Sequence, residues 1–104
     1  MRDGIPEIIR RSGATPVTYI AGVEEYGLRL RDKLREETEE FVQADGEDAR
    51  EELADVLEVV YALARELGMN LTELEQLRAR KAAERGGFKQ RVVWTSTEHG
   101  TGHQ

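Results

Sequence analysis

Four carboxylates are spaced so that they can meet between two helices. Glu37 and Glu40 are three residues apart in the run E-E-T-E-E, and Glu52 and Asp55 are three apart in E-E-L-A-D. That interval places two side chains on neighbouring ridges of one helix face. Eleven residues separate Glu40 from Glu52, and Asp45-Gly46 between them is a turn signal. Folded back as an antiparallel hairpin, the two pairs come level: Glu37 is eight residues before the turn and Asp55 nine after it. Four converging carboxylates suit a hard, oxygen-loving ion such as Mg²⁺ or Mn²⁺. The competing reading of each pair is a solvated acid run that merely favours helix.

Glu37 argues against the solvated reading. Val23, Tyr26, Leu30, Leu34, Glu37, Phe41 and Ala44 follow steps of 3, 4, 4, 3, 4 and 3, the stripe of an amphipathic helix facing a core. Six of those seats are apolar or aromatic and the seventh is a carboxylate. A lone carboxylate in a dry interior costs several kcal/mol or more, so it takes up a proton, a partner or a cation. Glu36, Glu39 and Glu40 crowd it, and Glu36 and Glu40 repel by roughly 0.2–0.5 kcal/mol at their i,i+4 spacing. A divalent cation offsets all of this at once. Lys33, one turn before Glu37, is either its ion-pair partner or a phosphate ligand.

The elements that must position these groups can be read from the punctuation. Pro6 opens a short helix to Arg11, stopped by Gly13, and Thr15 to Ile20 reads as extended. A first long helix spans about Gly22 to Ala44, weakened at Gly27 by roughly 1 kcal/mol relative to Ala. A second spans about Glu47 to Leu67, with Leu53, Val56, Leu57, Val60, Leu63, Ala64 and Leu67 as its stripe and Val59 and Ala62 outside it. A helix so apolar all round needs cover on more than one side, which predicts a homo-oligomeric helical bundle, dimer or tetramer. Gly68 ends that helix. Asn70 with Glu73 has the form of a capping box for a third helix, Leu71 to Arg85, stopped by Gly86-Gly87. Its face runs from Leu71, Leu74 and Leu77 into Arg78, Lys81 and Arg85, a cationic row that phosphate oxygens would match; the alternative is a basic helix end favoured by the macrodipole. Phe88 to Thr95 is β-capable and expected to pack its Phe, Val and Trp on the bundle. The domain is expected to span 1–95, with 96–104 a frayed tail.

Bulk properties exclude several classes. The 104 residues make one domain, and 15 Lys+Arg against 21 Asp+Glu give a net charge of −6, against a broad grip on nucleic acid polymer. Without cysteine there is no disulfide frame and no thiolate chemistry. The two histidines, His99 and His103, sit in the tail, which speaks against zinc. No apolar run is long enough to span a membrane, so a cytoplasmic protein with no membrane partner is expected.

Three segments carry a family resemblance: K-L-R-E-E-T-E-E-F (Lys33–Phe41), E-E-L-A-D-V-L-E-V-V-Y-A-L (Glu51–Leu63) and K-A-A-E-R-G-G-F (Lys81–Phe88). Together with the opening R-D-G-I-P-E-I-I they resemble the all-α nucleotide pyrophosphohydrolases of the MazG type. The small house-cleaning branch, labelled phosphoribosyl-ATP pyrophosphohydrolase-like, is the most similar. The resemblance implies metal ligation by Glu37, Glu40, Glu52 and Asp55, with Glu36 a further acid near the metal or its water, and triphosphate contacts from Lys81 and Arg85. It implies Mg²⁺-dependent release of pyrophosphate from a nucleoside triphosphate, with Glu36 or Glu40 taking the proton of the attacking water. Phosphoribosyl-ATP is the alternative substrate. A non-catalytic helical interaction module, or a nucleotide sensor without turnover, is the alternative class.

Overall fold

The structure is a computed structural model that describes residues 1–100. It contains four helices in the order α1 (Ile5–Arg11), α2 (Val23–Gln43), α3 (Gly46–Glu66) and α4 (Leu71–Arg85), with no strand among the described residues. The all-α expectation holds, and every helix begins and ends within two residues of its sequence-derived limit. The chain divides into two compact units, Met1–Leu71 and Thr72–Gln104.

In the first unit, α2 and α3 pack on each other. They run antiparallel, since Gly27 near the start of α2 stands against Glu66 at the end of α3. A Cβ built at Gly27 would lie 2.6 Å from the Glu66 carboxylate. The glycine that costs α2 helix propensity therefore lets the two helices approach. Gly46, at φ 56°, turns the corner, and the Asp45 carbonyl accepts the first α3 bond from Ala49 N–H at 3.3 Å. At the far end Gly68 takes φ 79°. Its N–H donates to the Arg65 carbonyl at 3.0 Å while Met69 N–H donates to Ala64 at 2.8 Å, a Schellman closure.

The interior of this unit is thin. Val59 and Ala64 are its buried apolar residues, and Glu37, at 7% exposure, is the buried charge. Val59 was expected to lie off the packing stripe, yet it is buried while Leu53 and Leu57 are exposed. With apolar side chains on every side of α3, the period could not say which face would turn to α2. The packed face is the one carrying Glu52, Asp55 and Val59. The other expected stripe, on α2, holds at Leu30 and Leu34, which are half-buried, and lapses at Val23, Tyr26 and Phe41, which are exposed.

The second unit holds α4 beyond its first residue. Gly86, at φ 80°, accompanies its end, and its N–H donates to the Ala82 carbonyl at 2.8 Å. Phe88 to Thr95 departs from expectation: it forms no strand, and Phe88, Val92, Val93 and Trp94 are all exposed. A turn at 88–90, followed by Arg91 at φ 57°, breaks the alternation, and no described strand offers it a ladder. The expected tail is irregular from 96 to 100, and the rest of it, including His103, lies outside the described residues.

Candidate metal centre

The hairpin brings one carboxylate from α2 and two from α3 together. Ligand oxygens of Glu37, Glu52 and Asp55 all lie within 4.8 Å of one another. They come from consecutive turns of two antiparallel helices, so the hairpin itself fixes their relative positions. Glu37 is buried, and Glu52 and Asp55 are half-buried.

Two cations partly balance these acids. Lys33 Nζ lies 3.0 Å from Glu37 Oε1 and 3.4 Å from Glu36 Oε1. Burial by itself would lower the Lys33 ammonium, but its hydrogen bonds to Glu37 and Glu36 outweigh that and hold it above the ordinary lysine value. Arg2 Nη2 donates to Asp55 Oδ1 at 2.5 Å. Both pairs leave a remainder. Glu37 Oε2 and Glu52 Oε2 are buried and have no hydrogen-bond partner among the described residues. A buried acceptor left unmade costs about 1–3 kcal/mol, and more if charged. Two such oxygens within one three-carboxylate cluster fit a divalent cation in a way that two solvated surface acids would not. The donor set is all oxygen, which favours a hard ion of the magnesium or manganese type.

Glu40 is exposed and lies outside that set of three, although its carboxyl is within hydrogen-bonding reach of Glu37 and Glu52. It still senses the cluster. The Glu37 charge, then desolvation and the Glu52 charge, push its carboxyl above the ordinary glutamate value. Glu36 is more remote, with its side chain 57% exposed and tied to Lys33. On α4, Lys81 and Arg85 are exposed and form no ion pair among the described residues. Arg78 of the same row is held by Glu75, with contacts from 2.6 to 3.0 Å, and the guanidinium keeps the Glu75 carboxyl below its usual range.

Arg2 stands close enough before Pro6 in the sequence to reach a site edge, but the sequence alone gives it no role. It is 53 residues from Asp55, and nothing in the spacing announces the contact. Its place is set by the turn into α1, where the Ile5 N–H donates to the Arg2 carbonyl at 3.1 Å. Met1, Arg2 and Ile5 then line a depression whose other walls are Lys33, Glu37 and Asp55.

A model of the MazG-like family matches residues 20–91, which include both acid pairs and all of α2, α3 and α4. A curated relative in Mycolicibacterium smegmatis, described only as an uncharacterized protein, is 49% identical over 49 residues. That alignment covers 47% of this chain and 50% of the relative, so the match extends over about half of each. No solved structure matches the chain.

Proposed function

This chain belongs to the MazG-like family, and from that premise we propose that it is a divalent-cation-dependent hydrolase that cleaves a nucleoside triphosphate to the monophosphate and pyrophosphate. House-cleaning of noncanonical nucleotides is the role we favour. The observation that carries the reading is the pair of buried, unpartnered oxygens, Glu37 Oε2 and Glu52 Oε2, in the three-carboxylate cluster. A purely structural hairpin gains nothing from them. A cation site needs them.

Glu37, Glu52 and Asp55 would hold the ion. When bound, Mg²⁺ or Mn²⁺ supplies neutralisation of phosphate charge and lowers the pKa of a water at the site. The remaining work belongs to the chain. Glu40, outside the three but beside Glu37 and Glu52, is the better-placed general base. Glu36 is the weaker of the two, because Lys33 shares its charge. Lys33 Nζ stands at the edge of the cluster and would turn from Glu37 to a phosphate oxygen once a cation satisfies that carboxylate. For Lys81 and Arg85 the phosphate role implied by the family resemblance stays part of this proposal.

Self-association is the second part of the reading. Leu53 is 55% and Leu57 47% exposed, and both line an apolar groove with Ala54, Val56 and Val60 along α3. A second copy of this chain, bringing the same groove, would cover it as a two-fold interface. The deciding experiment is a panel of ordinary and damaged nucleoside triphosphates, with phosphoribosyl-ATP, assayed with and without Mg²⁺. Pyrophosphate release that requires the metal supports the proposal. Release from no substrate, with intact fold, favours a binding module instead.

A further inference from the structure

The N-terminal turn reaches the metal centre although it lies outside the family match, which begins at residue 20. We propose that Arg2 is a phosphate-binding residue that the metal-free protein parks on Asp55, from which a divalent cation displaces it. The inference rests on the metal-centre reading above.

Three observations carry it. The Arg2 guanidinium makes a 2.5 Å contact with Oδ1 of a candidate ligand, so cation and guanidinium compete for one carboxylate. The contact is half-exposed, with the side chains 53% and 39% accessible, so the guanidinium can leave without uncovering a buried charge. Finally, Arg2 is delivered by a turn: its carbonyl is anchored by Ile5 N–H and Ile5 is half-buried, while Arg2 lines the same depression as Lys33 and Glu37.

The chemistry then follows from charge. Arginine stays protonated, so it cannot yield to a cation by losing its proton; it must move. A cation on Asp55 repels the guanidinium. A polyphosphate brought to that cation restores an anionic partner, now one whose oxygens match the guanidinium fork. Arg2 thereby exchanges one anion for another. Cation binding becomes the event that frees it, and the phosphate chain becomes the ligand that holds it. Lys33, which lines the same depression, makes the parallel exchange from Glu37, giving a second cationic group for the same phosphates.

The test uses the full chain with Mn²⁺ alone, then inorganic triphosphate at saturating Mn²⁺, both read by calorimetry. Arg2→Gln should bind Mn²⁺ roughly two- to fivefold more tightly, the scale of an exposed ion pair removed from Asp55. The same variant should bind triphosphate about tenfold more weakly, the loss of a charge-assisted bond. Arg10→Gln removes the same charge from α1, where Arg10 pairs with Glu7 away from the site, and should change neither affinity. Unchanged triphosphate binding in Arg2→Gln overturns the proposal. Weaker Mn²⁺ binding in that variant also overturns it, and makes Arg2 a residue that orients Asp55. Equal effects from Arg10→Gln overturn it as a general field effect. If the wild-type protein binds no Mn²⁺, the metal-centre reading falls and takes this inference with it. Mn²⁺ binding that Glu37→Gln abolishes, with no effect of Arg2→Gln on either ligand, overturns the role of Arg2 alone.

Discussion

The two long faces of α3 invert the usual arrangement of a small helical protein. The face turned to α2 carries Glu52 and Asp55 ahead of Val59, while the opposite face shows Leu53 and Leu57 to solvent. Charge is held inside and apolar surface outside. Neither half is stable for its own sake, because buried acceptors without partners and exposed leucines both cost free energy. Under the proposed function the contrast has one explanation for each face: the inner one would hold an ion between the helices, and the outer one would meet a second chain.

The largest effect expected from breaking this contrast is on the inner face. Glu37→Gln or Glu52→Gln should lower pyrophosphate release by at least about a hundredfold, as loss of a ligand exceeds the 10- to 100-fold loss of its supporting partners. Circular dichroism should show the helices intact, and the metal-free melting temperature should stay level or rise as a crowded charge is removed. Retained activity in both variants would break the inner half of the comparison. On the outer face, Leu53→Glu with Leu57→Glu should convert the assembled protein to monomer, read by sedimentation velocity. A wild-type protein that already sediments as a monomer would break the outer half.

A smaller effect sharpens the inner half by ligation itself. Mn²⁺ at about a hundred times its Kd should stabilise the fold by about 2.7 kcal/mol, a rise of several degrees in melting temperature. The same addition should leave Glu37→Gln unmoved.

How much of this could be read from the sequence depends on whether the signal was local. The helix limits were legible because glycines and a proline mark them: Gly13, Gly46, Gly68 and Gly86 all take positive φ at or beside a helix end. Three of the four expected carboxylates were legible as a cluster, because one turn and the Glu52–Asp55 interval suffice to place Glu37, Glu52 and Asp55 together, while Glu40 stands outside that group. The packed face of α3 was not, since a helix apolar on all sides gives no period from which to choose, and Val59 looked no more interior than Leu57. Phe88 to Thr95 misled for the converse reason: its β-like alternation is real, but a strand needs a partner and none is described. Arg2 could be placed near a site edge by its closeness to Pro6, but not its partner or role, because its contact spans 53 residues and depends on how the turn into α1 falls.

The smallest expected effect is in pH. The Glu40 carboxyl is raised in the fold, so its protonated form is favoured there. Its contribution is therefore complete below the ordinary glutamate range and is lost as pH rises through the elevated value. In metal-free protein, Glu40→Gln should flatten the stability profile across that window, as followed by thermal melts at a series of pH values. A profile as steep in the variant as in the wild type would detach Glu40 from the cluster.

The most direct measurement is the anomalous density of a crystal soaked in Mn²⁺. The account predicts one strong peak bounded by oxygens of Glu37, Glu52 and Asp55, with Oε2 of both glutamates turned onto it. A map with no peak there, and those two oxygens bonded to ordered water or to protein donors, would contradict it.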